Sequence, residues 1–312
     1  MKNLVTGGCG FIGSNLIDRL IKNGEFVVCI DDFTSGKSDN IQRFLNNKNF
    51  KFINHDVIKP LKLKLKIDRI WHLACPASPI HYQKDPIRTS KINFQGTLNI
   101  LEFAKKNNSK LLFASSSEVY GNPEIHPQDE KYLGSVNHIG IRGCYDEGKR
   151  MAESLCFDFK RIYGLETKVV RIFNTYGPKM SFNDGRVISN FICQALQKEP
   201  FTIFGKGNQS RSFCYIEDLI DGLINFMNSD AIGPINIGNT EEITIKDLAY
   251  LISVKVDSEF RYKEISLPKD DPIKRRPNIE KAIQLINWEP NYSLSRGLDL
   301  TIDHFKKILK SQ

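Results

Sequence analysis

The chain has 312 residues, 40% of them apolar and 26% charged, with a formal net charge of +8. That length holds a large core plus an appended lobe, the composition lies outside the range of disordered chains, and no run approaches the roughly 18 apolar residues that cross a bilayer. The basic residues are spread along the chain, so nucleic acid is not expected as a partner, and a polyanionic small substrate suits the charge.

Asn3-Leu4-Val5-Thr6 starts an apolar strand pattern at once. From this we expect neither a signal nor a transit peptide, and a cytoplasmic location without a membrane. A glycine-rich loop at 7–13 leads into a helix-length segment, Phe11 to Lys22, and then FVVCI at 26–30 and FKFIN at 50–54 read as strands. KPLKLKLKI, from Lys59, alternates basic and apolar residues with period two, the pattern of a half-exposed extended segment. RIWHLA at 69–74, KLLFAS at 110–115 and KVVRIF at 168–173 read as further strands, with a helix from Asn93 to Lys106 between the first two. Such alternation predicts an α/β fold, a Rossmann-type doubly wound parallel sheet. After Pro178 the elements shorten, and we expect a smaller mixed C-terminal substrate-binding lobe. The expected division is a dinucleotide domain at 1–178, with return elements near 213–240 such as a strand at Pro234 to Asn239, and a lobe at 179–312. Seven cysteines without a CxxC pair indicate neither a disulfide framework nor zinc. His72 and Cys75 have no second ligand pair, and no metal is expected.

GGCGFIG, Gly7 to Gly13, follows the first strand and opens a helix. Gly8, Gly10 and Gly13 fit GxGxxG, and Gly7, Gly10 and Gly13 fit the looser GxxGxxG. Absent side chains let the backbone approach a pyrophosphate, whose charge the helix N-terminus then meets. Asp31 ends the second strand about 20 residues on, where a carboxylate binds a ribose 2′-hydroxyl. NAD is therefore favoured over NADP, with Lys37 as the one cation near that ribose that suits a 2′-phosphate.

CYDEGKR, Cys144 to Arg150, places Tyr145 and Lys149 on one helix face. Alone, this spacing usually marks a solvated surface. Here Ala152, Leu155, Cys156 and Phe159 turn one face inward, and SSSEVYG, from Ser115, delivers hydroxyls and the Glu118 carboxylate to the sheet's carboxyl edge. A phenol of reference pKa ~10 becomes a base near neutrality only beside a cation, a part that Lys149 and a positive nicotinamide ring suit. A serine hydroxyl then holds the oxygen from which Tyr145 takes a proton.

TGGCGFIG, the Ser116, Tyr145 and Lys149 set, and NTYGP at 174–178 together resemble the extended short-chain dehydrogenase/reductase family, which works on nucleotide-sugars. The likeness runs over nearly the whole chain. Within that family, INHDVIKPL, HLACPASP, SSSEVYGNPEIHPQ, CYDEGKRMAE, RIFNTYGPKM, NDGRVISNFI and DDPIKRRPNI are similar to the branch that converts UDP-glucuronate to UDP-xylose. The resemblance implies C4 oxidation by bound NAD with Tyr145 as base, loss of CO2 from the β-keto acid, and return of the hydride. Ser116 or the protonated Tyr145 then stabilises the enolate. It implies Glu118 and Arg211 beside the reacting carbons, and Asn174, Arg186 and Arg275 around the nucleotide, where forked guanidinium groups suit phosphate oxygens. Lys91 is a further implied substrate contact. The implied cofactor residues are Gly7, Gly10, Phe11, Ile12, Gly13, Asp31, Asp32, Ser35, Gly36, Asp56, Val57, Leu73, Ala74 and Cys75, with Tyr145 and Lys149. A homodimer is implied as well.

Without the resemblance, Glu118 reads as a helix cap and Arg211 as a loop charge. Ser116 stands where the family often has threonine, Cys75 where serine is usual and Asp32 where asparagine is common, changes expected to tune cofactor grip. Sister activities share the first oxidation. A 4,6-dehydratase of the dTDP-glucose type needs Asp then Glu where this chain has Ser117 then Glu118, GDP-mannose dehydratases share that Ser-Glu, and a 4-epimerase needs no carboxylate there. A non-catalytic NAD-sensing protein would not need Ser116, Tyr145 and Lys149 intact.

Overall fold

A computed structural model describes residues 1–182, 184–268 and 270–311. The first half runs through β1 (Lys2–Thr6), α1 (Phe11–Lys22), β2 (Phe26–Asp31), β3 (Phe50–Asn54), β4 (Arg69–His72), α2 (Pro79–Tyr82), α3 (Pro86–Lys91), α4 (Thr97–Asn107), β5 (Lys110–Ser116), α5 (Gly143–Tyr163), β6 (Thr167–Ile172) and β7 (Thr175–Tyr176). The second half follows with α6 (Val187–Leu196), β8 (Phe201–Phe204), β9 (Ser210–Ser212), β10 (Cys214–Tyr215), α7 (Ile216–Asn228) and β11 (Ile235–Ile237). It closes with β12 (Glu242–Thr244), α8 (Ile245–Val256), β13 (Tyr262–Ile265), β14 (Lys274–Arg275), α9 (Glu280–Ile286) and α10 (Leu294–Ser311).

Seven strands form one parallel sheet in the order β11-β6-β5-β4-β1-β2-β3. Both faces are covered, so successive residues of a strand enter different cores. Leu4, Ile70 and Val169 join the core beneath α4 and α5, while their neighbours Val5, Trp71 and Val170 join the one beneath α1 and α7. This is why the strands read as unbroken apolar runs. The order of connection reverses between β1 and β4, and a crevice opens at the carboxyl ends there.

α5 buries Tyr145, Lys149, Ala152, Cys156 and Phe159, one stripe at helical spacing, and ends at Gly164 in the left-handed conformation (φ 65°). Tyr145 and Lys149 thus lie on the packed face of the helix. The helix expected from Asn93 instead begins at Pro86, because Asp85 accepts the Arg88 N–H and Pro86 fits a first helical turn. A π-helical turn at Ile92–Gly96 joins α3 to α4. The Lys59 to Lys66 stretch belongs to no strand, but Leu61, Leu63 and Leu65 pack on the core while the lysines stay exposed.

Beyond β7 the small ladders β8–β13 and β12–β9–β14, with α6 and α8, build a mixed lobe. β10 pairs with β7 in a separate two-stranded ladder, α7 packs on β5 and β6, β11 joins the edge of the main sheet, and α10 packs on α6 and α8. No helix among the described residues is long and apolar enough to cross a membrane.

Candidate active site

A cavity of about 1050 Å³ follows the crevice from the glycine loop to the lobe. Its inner wall starts at the first β–α turn. A Cβ on Gly13 would lie 2.3 Å from the Gly7 carbonyl oxygen, and Gly7 itself has φ +70° against the Ala74 backbone. Only glycine lets these chain segments meet. The first turn of α1 has no side-chain cap and no acidic residue, so its N–H groups are left for an anion. Asp31, 8% exposed, accepts the Cys9 and Phe33 N–H groups at 2.9 Å each, one per oxygen, which keeps a lone pair on each for ribose hydroxyls. Arg88 bridges Asp32 (2.6 Å) and Asp56 (3.1 Å) and so ties together the segments that follow β2 and β3. Gly10, Phe11, Ile12, Ser35, Gly36, Val57, Leu73, Ala74 and Cys75 also line the cavity. An uncapped helix start, a fixed carboxylate and a cradle that a Cβ would fill are the shape of a dinucleotide site.

At the other end, Ser116 closes β5, and Tyr145 and Lys149 face it from the first turns of α5. The Tyr145 ring stacks on that of Tyr82, centroids 4.9 Å apart and 11° from parallel. Burial pushes the Tyr145 phenol well above its ordinary value, with the Ser116 hydroxyl and Arg186 pulling the other way. Lys149 is buried on the same face of α5 as Tyr145. Its ammonium donates to the Ala114 carbonyl at 2.9 Å and sits 5.7 Å from the Tyr145 ring centroid, and burial lowers its own pKa.

Next to Ser116, Glu118 enters a cluster of guanidinium groups. Arg142 donates to it, and Arg275 approaches to 3.3 Å. Burial alone would raise this carboxyl, but Arg275, Arg142 and Arg211 overcome that and lower it to about 2. Arg142 also reaches Asp271 at 3.4 Å, and Arg211 donates to Asp271 (2.9 Å) and to the Pro272 carbonyl (2.6 Å).

Asn174, Arg186 and Arg211 line the cavity, with Arg186 held by Asp184 at 3.1 Å. Two residues expected at the substrate stand elsewhere. Arg275 is 1% exposed and spends its guanidinium on the Ser117 carbonyl (2.7 Å), the Gly121 carbonyl (2.9 Å) and Glu118, so it supports Glu118 from behind and lines no part of the cavity. Lys91 is exposed at the end of α3, outside the cavity. His72 is spent on the hydroxyls of Thr6 (2.8 Å) and Thr97 (3.1 Å). Tyr82, Arg88, Arg142 and Asp271 escaped the sequence reading. Arg142 stands three residues before Tyr145, and Asp271 lies within the DDPIKRRPNI stretch, which are the signals that could have found them.

The model of the NAD dependent epimerase/dehydratase family matches residues 3–238. UDP-glucuronic acid decarboxylase 1 of Danio rerio is 49% identical over 309 residues, 99% of this chain and 73% of that protein. UDP-glucuronic acid decarboxylase 4 of Arabidopsis thaliana is 47% identical over 307 residues, 98% of this chain and 69% of that protein. Among solved structures, UDP-glucuronic acid 4-epimerase from Bacillus cereus, in complex with UDP-glucuronic acid and NAD, superposes with a TM-score of 0.89 at 31% identity, covering 99% of this chain and all (100%) of that one. UDP-glucose 4-epimerase from Thermotoga maritima, with UDP-glucose, gives 0.90 at 29% identity over 99% and 100%.

Proposed function

The chain belongs to the NAD dependent epimerase/dehydratase family, and from that premise we propose that it is a UDP-glucuronate decarboxylase, which forms UDP-xylose and CO2 with NAD as its cofactor. The observation that carries this reading is Glu118 in its arginine cluster beside Ser116 and Tyr145. Transient oxidation at C4 needs only Ser116, Tyr145 and Lys149. A cluster of arginines at the far side of the sugar suits a substrate whose C6 is a carboxylate.

Bound NAD supplies a hydride acceptor and, later, a donor at C4. Tyr145 takes the C4 hydroxyl proton while Ser116 holds the same oxygen. With C4 a ketone, C6 is a β-keto carboxylate, and the electron pair of the C5–C6 bond flows towards the C4 oxygen as CO2 leaves. Ser116 and the protonated Tyr145 donate to that oxygen as its charge grows, in a site where burial makes each hydrogen bond count for more. Arg211 and Arg142 hold the carboxylate until it departs, with Arg275 fixing Glu118. Asn174 and Arg186 receive the nucleotide.

In this reading residues 1–178, with the return elements near 213–240, bind the cofactor, and residues 179–312 form the nucleotide-sugar lobe. The protein is a cytoplasmic homodimer in which the partner covers the exposed apolar side chains of the α3–α5 surface, Ile87, Phe94 and Met151. Following the sugar nucleotide by NMR tests the activity. UDP-glucuronate should give UDP-xylose, whereas unchanged UDP-glucuronate beside consumption of UDP-glucose or GDP-mannose would sink the reading.

A further inference from the structure

Asp146 follows Tyr145 on α5, is 5% exposed, and is not among the residues lining the cavity. Its Oδ2 lies 3.6 Å from Arg142 Nε, while Oδ1 and that Nε are both buried without a hydrogen-bond partner among the described residues. The other nitrogens of Arg142 serve Glu118 and Asp271. One guanidinium is thus shared by three carboxylates, and the least satisfied of the three is Asp146.

Charge balance gives this arrangement a use. Arg142, Arg211 and Arg275 stand against Glu118, Asp271 and Asp146. A sugar carboxylate entering this buried group puts it one negative charge in excess, and such a site protonates its weakest acid. Glu118 is held low by the three arginines. Asp146 is raised to about 7, by burial first and then by the Glu118 charge, against the pull of Arg142 and Arg275. The groups that face it are Arg142 and Cys144 from its own helix start, Glu118 from the turn after β5, Arg275 from β14 and Tyr82 from α2.

We propose that Asp146, acting through Arg142, takes up a proton when the substrate carboxylate binds and gives it up when that carboxylate leaves as CO2. The inference rests on the decarboxylase reading. In that reaction the C5–C6 bond breaks, its electron pair enters the C4 carbonyl, C6 departs as CO2, and C5 then gains one proton. The substrate carries a carboxylate that the product lacks, so each turnover consumes that proton. Asp146 supplies it, and the next substrate to bind draws a replacement from solvent. Tyr82 lines the cavity, its hydroxyl is buried without a hydrogen-bond partner among the described residues, and it feels the Asp146 charge; in this proposal that hydroxyl relays the proton towards C5.

A pH indicator measures proton uptake as UDP-glucuronate is added to the NAD-loaded Tyr145→Phe enzyme at about pH 8, where a ligand-induced rise of a group near neutrality is largest. The expected result is a large fraction of one proton per site with UDP-glucuronate and little with UDP-xylose. Adding Asp146→Asn should cut the uptake at least about fivefold. Equal uptake with and without Asp146 overturns the proposal. In the otherwise native enzyme, Asp146→Asn should lower kcat about tenfold at unchanged KM and flatten the pH profile near neutrality, with Asp146→Glu restoring both. An unchanged kcat and profile also overturn it. If the native enzyme releases no CO2 the decarboxylase reading fails instead, and the indicator measurement still decides the role of Asp146.

Discussion

The two ends of the cavity are built by opposite means. The dinucleotide end is built largely of backbone: residues 7–13 supply a turn, a close approach and free N–H groups, and Asp31 is fixed by the amides of Phe33 and of Cys9 in that same loop. At the sugar end, side-chain charges from residues 118, 142, 146, 211, 271 and 275 converge from the sheet edge, α5 and the lobe. A backbone site tolerates changes in side-chain charge and is intolerant of added atoms. A charge cluster behaves the other way round.

The largest expected effect breaks the chemistry shared by both ends. Tyr145→Phe should lower turnover by at least ~10³-fold while leaving NAD affinity within about twofold, measured by NMR turnover and by cofactor titration. Glu118→Gln should separate the ends, leaving C4 oxidation visible as NADH absorbance while decarboxylation falls about 10²-fold or more. Equal loss of both steps would mean that the cluster does not act on C5–C6 scission. Gly13→Ala should spoil the dinucleotide end alone: with the nearest backbone oxygen 2.3 Å from the new Cβ, NAD binding should weaken at least about tenfold, read by titration.

The pH dependence of stability sharpens the contrast further. Glu118 is depressed in the fold, so its contribution is fully present above the unfolded carboxyl value and is lost as pH falls towards about 2. Asp146 is raised, so it costs stability as pH climbs from the unfolded carboxyl range through about 7. Thermal melts should therefore show Asp146→Asn gaining on the native protein as pH rises, and Glu118→Gln falling behind it. The smallest effect is expected at Lys91. Lys91→Ala should change KM less than about twofold, because that ammonium lies outside the cavity.

Much of the fold was legible beforehand. Strands β1 to β6 appear where apolar runs ended in turn residues, and α1 spans the segment its pattern marked. The start of the α3–α4 helical stretch was not, because Asp85 and Pro86 set it with a cap that apolar periodicity does not register. Ser116, Glu118 and Tyr145 line one cavity, where the end of β5 meets the start of α5. Arg275 belongs behind Glu118, since carbonyls of Ser117 and Gly121 claim its fork, and no pattern around residue 275 reports carbonyls some 150 positions away.

By itself the sequence determined the elements whose cause is local: sheet strands from apolar runs, a tight turn from glycine spacing, and a phenol and an amine on one helical stripe. Only the tertiary structure decided which charges meet. It gave Lys149 to the Ala114 carbonyl, Arg142 to three carboxylates, and Asp146 a buried place 3.6 Å from Arg142 Nε with one oxygen unpartnered among the described residues. The reason is physical. Backbone conformation responds to neighbours a few residues away, whereas the energy of a buried charge depends on every group that surrounds it in space.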